Sequence, residues 1–268
     1  MAHQPRKRFG QNFLHDNMVI QNIVDSIHPQ TGEHFVEIGP GKGAITDPLL
    51  RILGEIDVVE LDRDLIPILH QNLDHLGELR IHQSDALRFD FSTLTREKKA
   101  FRVVGNLPYN ISTPLLFHLT NYLPSIIDMH FMLQKEVVDR MAAAPNSKTY
   151  GRLSVMMQYH CKVEKLFLVK PGAFFPPPKV DSAIVRLAPH ESNPYQVDDK
   201  KIFAKIVTQC FSQRRKTLRN NLKNILETEE IESLDINPGC RAETLEIEQF
   251  VNIANKVASL PTGTSDDI

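Results

Sequence analysis

The residues best suited to do chemistry in this sequence are Asn106, Leu107, Pro108 and Tyr109. A polar amide, a turn-forming proline and an aromatic ring follow directly on residues 101–105, whose apolar pattern predicts a short buried strand. In open α/β sheets, ligands bind just beyond the carboxyl ends of the strands. The pattern therefore predicts a ligand site here, although Asn and Pro are also common in ordinary strand-to-helix turns.

A second candidate site lies upstream, in the glycine-rich loop of residues 37–43. Glycine lets a backbone turn tightly and approach a ligand, and free amides at a helix start favour the polar part of a cofactor. With Ala44 the loop fits the G-x-G-x-x-A pattern of dinucleotide-binding folds, and Glu60 stands where those folds place the acid that binds ribose. Asp85 follows the third predicted strand. The set describes a groove for an adenosine-like molecule, and a nicotinamide enzyme and a purely structural turn both remain open alternatives.

These groups need a sheet to bring them together, and strand and helix patterns alternate from about residue 34 to residue 187. The short β-rich runs occupy residues 34–38, 56–61, 79–82, 101–105 and 129–133. Two later runs, 163–169 and 183–187, are joined by a proline-rich loop, so we expect them to form an antiparallel pair at one edge. The sequence thus predicts an α/β fold with a doubly wound, mostly parallel sheet.

A polar linker at residues 189–194 separates this part of the chain from a region whose pattern is helical throughout. We therefore predict two domains: residues 1–189, which contain the sheet, and residues 190–268, a small α-helical domain. With 268 residues and 41% hydrophobic content, the chain is long enough to bury one large core and one smaller core.

The composition disfavours several function classes. No stretch is long and apolar enough for a membrane span, and the basic start of the chain lacks the apolar core of a signal peptide. We therefore expect a cytoplasmic protein with no membrane partner. Cys161, Cys210 and Cys240 are odd in number and widely spaced, which supports neither a disulfide framework nor a zinc site. The histidines also lack metal-ligand spacing, and no metal is predicted.

The distribution of charge, unlike the formal net charge of −2, indicates a candidate surface for nucleic acid. Residues 200–226 carry eight basic residues and no acid, whereas residues 227–248 carry eight acids and one base. Arg215 and Arg219 are predicted to lie one helical turn apart, in a stripe that could follow a phosphate backbone. A solvated helix face is the usual explanation of such a run, and residues 6–8 could extend the same surface.

The sequence resembles the S-adenosylmethionine-dependent adenine-N6 methyltransferases, in which the fourth strand ends in an Asn/Asp-x-Pro-Tyr/Phe motif. It resembles still more closely the KsgA-type bacterial small-subunit rRNA adenine dimethyltransferases. Five segments carry this similarity: residues 7–14, 106–114, 146–154, 174–182 and 213–220. The resemblance covers nearly the whole chain, and only the acidic tail of residues 265–268 matches nothing in it.

The resemblance implies a Rossmann-like methyltransferase fold that binds S-adenosylmethionine. It places six residues around that cofactor: Asn12, Leu14, Gly39, Glu60, Asp85 and Asn106. Their chemistry agrees, because the carboxylate of Glu60 can accept hydrogen bonds from both ribose hydroxyls and that of Asp85 can accept one from the adenine amine. Gly39 leaves room for the methionine part. Only the resemblance singles out Asn12 and Leu14, which would otherwise be assigned to packing against a nearby helix.

In such an enzyme the tetrapeptide would bind the target base. The side-chain oxygen of Asn106 and a backbone carbonyl, that of Leu107, can accept the two N–H bonds of adenine N6 and stabilise its developing charge. After Pro108, Tyr109 supplies a face for a base that has left its stack. The family pattern implies that Phe174 covers the other face, with core packing as the alternative for that residue.

The implied activity is the dimethylation of two adjacent adenosines near the 3′ end of 16S rRNA, within a pre-assembled small ribosomal subunit. The methyltransferase motifs favour RNA contact by the basic residues Arg214, Arg215, Lys216 and Arg219. We expect a monomer. Two other functions remain open. One is a ribosome-assembly factor without useful catalysis, against which residues 106–109 argue. The other is a DNA or drug-resistance rRNA methyltransferase, against which residues 174–182 and 213–220 argue.

Overall fold

A computed structural model of the protein describes residues 11–95 and 100–260. The chain divides into two compact units. The first contains Met1–Val138 and Glu164–Pro189, and the second contains Asp139–Val163 and His190–Ile268. One division falls after Pro189, where the sequence places its domain boundary. The segment 139–163, however, belongs to the second unit and not, as predicted, to the domain that contains the sheet.

Nine strands form within the described residues. They are β1 (Phe13–Leu14), β2 (Phe35–Ile38), β3 (Glu55–Glu60), β4 (Glu78–Gln83), β5 (Phe101–Asn106), β6 (Ile126–Gln134), β7 (Cys161–Val169), β8 (Phe174–Phe175) and β9 (Ser182–Pro189). Ten α-helices accompany them: α1 (Asn17–Ile27), α2 (Thr46–Leu53), α3 (Ile66–Leu73), α4 (Ser112–Leu119), α5 (Lys135–Met141), α6 (Arg152–His160), α7 (Lys200–Cys210), α8 (Leu218–Leu222), α9 (Thr228–Glu232) and α10 (Ile247–Ala258). Short 3-10 helices occupy Phe91–Leu94, Thr120–Ser125, Pro171–Ala173 and Ala242–Thr244.

Seven of the strands form one sheet, in the order β4-β3-β2-β5-β6-β9-β7. The pairs among β2, β3, β4, β5 and β6 are parallel, and β9 runs antiparallel to β6. The chain moves outward from β2 through β3 to β4 and then returns to place β5 on the other side of β2. Such a reversal of direction opens a crevice at the carboxyl ends of the two central strands. The predicted sheet, mostly parallel with an antiparallel strand towards one edge, is confirmed.

The prediction made one strand too short, because a charged residue interrupts its apolar pattern. β6 begins at Ile126, whereas the apolar pattern begins at residue 129, and Asp128 between them is almost fully buried. Its partner is Arg102 on β5, only 7% exposed, whose Nε and Nη2 donate to the two carboxylate oxygens at 2.8 and 3.1 Å. A buried charge is tolerated only when it is paired, so the strand depends on this contact.

Arg102 also joins the sheet to the loop that precedes β2. Its Nη1 donates to the carboxylate of Glu33 at 3.0 Å, and its Nη2 donates to the carbonyl oxygen of Ile27 at 2.7 Å. The guanidinium carbon lies 4.8 Å from the ring centroid of Phe35, within the range of a cation–π contact. One side chain therefore connects α1, β2, β5 and β6.

A two-stranded antiparallel pair stands outside the main sheet. β1 pairs with β8, with Leu14 opposite Phe174 and Phe13 opposite Phe175. The backbone amide of His15 continues the pairing by donating to the carbonyl oxygen of Ala173 at 3.0 Å. The first described residues of the chain are thus held by a segment that follows β7.

The second unit is helical, with α7 in contact with α6, α8 and α10. The segment 139–163 belongs to it because α6 packs against α7 and α10, and because the hydroxyl of Tyr150 donates to the carbonyl oxygen of Leu245 at 3.0 Å. The rings of Tyr159 and Phe203 add to this packing, with centroids 4.5 Å apart. Composition could not reveal the assignment, because these contacts join residues distant in sequence.

Candidate active site

A cavity of about 480 Å³ lies at the carboxyl ends of the central strands, within the first unit. Its lining includes Asn12, Leu14, Gly39, Glu60, Asp85 and Asn106, which are the predicted cofactor residues. Leu107, Pro108 and Tyr109 line it as well. The cavity therefore brings together the glycine loop and the tetrapeptide, as expected when parallel strands end at one edge of a sheet.

The glycine loop follows β2 and bends sharply over the cavity. Gly39 and Gly41 have φ angles of 69° and 61°, in the left-handed region that side chains disfavour. The amide of Gly39 donates to the carbonyl oxygen of Val59 at 2.9 Å, which ties the loop to β3. An added Cβ at Gly41 would lie 3.1 Å from the ring of Phe13, so the absence of a side chain at Gly41 also allows β1 to pack against the glycine loop.

Glu60, at the end of β3, is a fixed and almost buried carboxylate. Its Oε1 accepts from the amide of Asp62 at 2.7 Å, and its Oε2 accepts a longer bond from the amide of Gly41 at 3.4 Å. Burial raises the pKa of Glu60, although the backbone bonds oppose the shift. Asp62 in turn accepts from the side-chain amide of Gln11 at 2.9 Å, which brings the N-terminal segment to this side of the cavity.

A second acid, Glu37, begins the predicted glycine-rich segment, but no role in binding was predicted for it from the sequence. It is 1% exposed, it lines the cavity, and its Oε2 accepts from the hydroxyl of Thr46 at 2.6 Å. Burial raises the pKa of Glu37 to about 7, the Thr46 bond lowers it, and the charge of Glu60 adds to the rise. An acid inside a four-residue apolar strand was the signal in the sequence, because such residues are rarely buried without a reason.

Asn106 ends β5 with its amide in a defined orientation. Its Nδ2 donates to the backbone carbonyl oxygen of Asn12 at 3.0 Å. This bond distinguishes the donor atom of the amide, Nδ2, from its acceptor atom, Oδ1. The preceding Gly105 is required for close packing, since an added Cβ would lie 2.6 Å from the carbonyl oxygen of Ile38. The following Leu107 is buried, and its amide donates to the carbonyl oxygen of Met132 at 3.2 Å. The strand end is therefore held from both neighbouring strands.

Tyr109 is half-buried and is anchored at both ends. Its hydroxyl shares a hydrogen bond of 2.8 Å with the hydroxyl of Ser182, and its carbonyl oxygen accepts from the hydroxyl of Ser112 at 3.1 Å. Burial raises the pKa of Tyr109, and the Ser182 bond opposes that rise. Between Asn106 and Tyr109, the carbonyl oxygen of Pro108 accepts from the amide of Ile111 at 3.1 Å, which closes the turn into α4.

The prediction that Phe174 faces the target base does not agree with its placement. Phe174 is 3% exposed and belongs to the hydrophobic core together with Leu14, and it is absent from the cavity lining. Phe175, which is 63% exposed, lines the cavity instead. Successive side chains of a strand point to opposite faces, so only one ring of β8 can face the core. The alternative stated for Phe174, core packing, describes the structure.

The predicted basic residues of the second unit are exposed, but their arrangement differs from a helical stripe. α7 ends at Cys210 and α8 begins only at Leu218, so Arg215 lies in the connecting turns and not one helical turn before Arg219. The turns are held by Asn221, whose Nδ2 donates to the carbonyl oxygen of Cys210 at 2.7 Å.

Arg214 makes two contacts within the second unit. Its Nε donates to the carboxylate of Glu243 at 3.2 Å, and its Nη2 donates to the carbonyl oxygen of Lys148. Arg215, Lys216 and Arg219 are exposed and lie close together in sequence, and we refer to these three residues as the basic cluster. Residues 6–8, predicted as an extension of this surface, and the acidic tail of residues 265–268 lie outside the described part of the chain.

Other kinds of site receive no support from the described residues. Cys161, Cys210 and Cys240 carry free thiols, and in residues 11–95 and 100–260 no cluster of His, Cys, Asp and Glu is arranged to hold a metal ion. None of the helices in the same residues is long and apolar enough to cross a membrane.

Residues 2–259 match the family model of the ribosomal RNA adenine dimethylases. The chain belongs to this family. It is 58% identical over 255 residues to the ribosomal RNA small subunit methyltransferase A of Marinomonas sp. (strain MWYL1), covering 95% of this chain and 96% of that protein. A dimethyladenosine transferase from Plasmodium falciparum has a similar crystal structure, with a TM-score of 0.79, 26% identity and coverage of 92% of this chain and 98% of that one.

Membership of the dimethylase family confirms the predicted enzyme class, an S-adenosylmethionine-dependent methyltransferase of ribosomal RNA. A more distant neighbour, the 23S rRNA methyltransferase ErmE, shares the fold with a TM-score of 0.71 and 22% identity, and covers 92% of this chain and 100% of that one. The nicotinamide alternative for the glycine loop is overturned by the family match.

Proposed function

We propose that this protein dimethylates the N6 atoms of two adjacent adenosines near the 3′ end of 16S rRNA, in the small ribosomal subunit. The observation that carries the proposal is the Asn106 amide, which donates to the carbonyl oxygen of Asn12 and lines the same cavity as Glu60. Support for the substrate comes from the Marinomonas relative, whose name specifies the small subunit. We expect the enzyme to act as a monomer in the cytoplasm.

The cavity suits S-adenosylmethionine by its size and by the chemistry of its donors and acceptors. Both Glu60 and Asp85 line the cavity, and we assign the carboxylate of Glu60 as the acceptor for ribose hydroxyls and that of Asp85, beyond the neighbouring strand, as the acceptor for an adenine amine. Gly39 and Gly41 carry no side chain, so the backbone can approach the methionine part of the cofactor closely. Asn12 and Leu14 close the cavity on the side of β1. When bound, the cofactor supplies an electrophilic methyl group.

The remaining residues hold the nucleophile. The N6 lone pair of adenine is delocalised into its ring, so the amine reacts only when it is held pyramidal with its lone pair in line with the methyl group. Oδ1 of Asn106 and the carbonyl oxygen of Leu107 are the acceptors for the two N–H bonds of N6, and they stabilise the positive charge that develops on nitrogen. A base flipped out of its stack needs an aromatic surface, which Tyr109 provides. No strong base is needed.

Recognition of the RNA falls to the exposed cations of the second unit. Arg215, Lys216 and Arg219 stand in one short stretch, and a protein of sequence pI about 6.6 gains little from non-specific attraction elsewhere. Several separated phosphate contacts made at once are therefore needed, and these are offered by a folded, partly assembled subunit. An assembly factor without catalysis is disfavoured, because the complete motif of residues 106–109 is retained.

Replacement of Glu60 by Ala is expected to weaken binding of S-adenosylmethionine by about 1–3 kcal/mol, because the ribose hydroxyls lose their acceptor. Calorimetric titration of the purified protein measures the change. Glu136→Ala, which removes an exposed acid of α5 in the same polypeptide, serves as the control and should bind as the wild type does. Unchanged affinity in Glu60→Ala, or tight binding of a nicotinamide dinucleotide, would contradict this assignment.

Reversal of charge at Arg215, Lys216 and Arg219 is expected to weaken binding to small subunits and to flatten the salt dependence. Each phosphate contact contributes about 0.7–0.9 to the slope of log K against log salt, so three lost contacts remove about two to three units. Filter binding at several salt concentrations measures this slope.

Substitution of the same three residues by Gln is the companion variant, and it should lose the same slope with a smaller loss of affinity. Affinity for S-adenosylmethionine should not change in either variant. Persistence of the wild-type slope would remove this cluster from the RNA interface. A short hairpin with the target adenosines that equals the subunit in kcat/KM would show that an assembled surface is unnecessary.

A further inference from the structure

Ser182 lies at the same edge of the sheet as the active-site residues, although it comes from an antiparallel strand. β9 runs opposite to β6, and the pairing places Ser182 beside Gln134, the last residue of β6. The start of β9 therefore meets the carboxyl ends of the parallel strands. The amide of Lys135 donates to the carbonyl oxygen of Asp181 at 2.9 Å, which fixes the backbone just before Ser182.

The hydroxyl of Ser182 is directed at Tyr109. Ser182 is 0% exposed, so its hydroxyl requires a partner inside the protein, and the phenolic oxygen of Tyr109 lies 2.8 Å away. The two residues are 73 positions apart in sequence. Since the carbonyl oxygen of Tyr109 is bound by Ser112, the tyrosine is held at its backbone and at the far end of its ring.

Two anchors define the position of the Tyr109 ring. A tyrosine fixed only at its backbone can swing about its Cα–Cβ bond. A hydrogen bond at the hydroxyl, which lies on the axis of the Cβ–Cγ bond, stops this swing and fixes the direction in which the ring extends. The ring of Tyr109, which lines the cavity, is then held in one position before any base arrives. A base that stacks on a fixed ring loses less conformational freedom at the moment of reaction, and small errors of orientation are costly for methyl transfer.

We infer that Ser182 is a positioning residue of the methyl-transfer reaction, which acts by holding in place the Tyr109 ring on which the target adenine stacks. The inference rests on the proposed function, because it requires that Tyr109 contacts the base. It gives Ser182 a role that its burial in the sheet alone does not explain, since a core position could be filled by Ala without loss of packing.

The test is a double-mutant cycle that combines Ser182→Ala with Tyr109→Phe, in the full-length protein acting on small subunits. Each single variant should lower the single-turnover rate of methyl transfer about tenfold, because each removes one partner of the same hydrogen bond. The double variant should be no slower than either single variant. Affinity for S-adenosylmethionine and the Tm should stay close to those of the wild type. Ser26→Ala, which removes a hydroxyl bonded to Ile23 on α1, is the matched control and should react at the wild-type rate.

The outcomes separate the inference from the proposed function. Tyr109→Ala, which removes the ring, should abolish methyl transfer, and normal transfer by that variant would overturn the stacking role itself. If Tyr109→Ala is inactive while Ser182→Ala reacts at the wild-type rate, the inference is wrong and the proposed function stands. The inference is also wrong if the two rate losses multiply in the double variant, or if Ser182→Ala loses rate only in proportion to a fall in Tm.

Discussion

Asn106→Ala is expected to lower the rate constant of methyl transfer about a hundredfold or more, while affinity for the small subunit stays close to that of the wild type. The substitution removes the Oδ1 acceptor aligned on adenine N6, and loss of one preorganised polar group at the reacting atom commonly costs this much. It also removes the donor to the Asn12 carbonyl oxygen, which orients that amide. Single-turnover transfer of a radiolabelled methyl group to small subunits measures the effect.

Asn252→Ala provides the matched control, because Asn252 is an exposed residue of α10 in the second unit. It loses the same side-chain atoms and should transfer methyl groups at the wild-type rate. Asn106→Asp is informative as well, since it keeps an acceptor oxygen but cannot donate to Asn12. Near-normal transfer by Asn106→Ala would remove this residue from the mechanism.

Arg102→Met is expected to lower the free energy of unfolding by about 3–5 kcal/mol, the usual cost of leaving one member of a buried ion pair without its partner. Asp128 would remain in the interior with Arg186 as a partner. The Nε of Arg186 lies 3.1 Å from the Asp128 carboxylate, but the Arg186 side chain is more exposed to solvent than that of Arg102, so its contact is weaker. The loop at Glu33 and the end of α1 would lose their donors at the same time. Urea denaturation followed by circular dichroism measures the change.

Arg51→Met tests the same chemistry on the surface. Arg51 pairs with Asp47 one turn away on α2 at 2.8 Å, but both side chains are well exposed. Such a pair contributes about 0.5 kcal/mol or less, because water and salt screen it. Equal losses in the two variants would show that burial does not strengthen the contact of Arg102, and that β6 does not depend on its pairing with Asp128.

The part of the site that the sequence predicts is the part governed by strand ends. Gly39, Glu60, Asp85 and Asn106 follow or end separate strands, and parallel strands that share one edge must bring such residues together. No knowledge of side-chain packing is needed for that step. The glycine loop and the tetrapeptide can therefore be assigned to one cavity from the order of strands and helices alone.

Features that depend on contacts across the chain could not be predicted in the same way. The bond between Ser182 and Tyr109 requires the antiparallel insertion of β9, which no local pattern specifies. The sequence alone does not show which of the two adjacent phenylalanines of β8 is buried. The pairing of β8 with β1 decides this orientation, in which Phe174 is buried and Phe175 is exposed. The turns before α8 are likewise held by Asn221, a polar residue that looks like part of a surface helix.

The pairing of β1 with β8 has a consequence for the order in which the protein can mature during its own synthesis. Leu14 leaves the translating ribosome early, but its partner Phe174 is added 160 residues later. At elongation rates of about 5–20 residues per second, roughly eight to thirty seconds pass before the pair can form. The nascent chain therefore cannot complete the cavity while it is being extended through β2 to β6. An enzyme that modifies ribosomes thus gains its finished binding cavity only when most of its own translation is over.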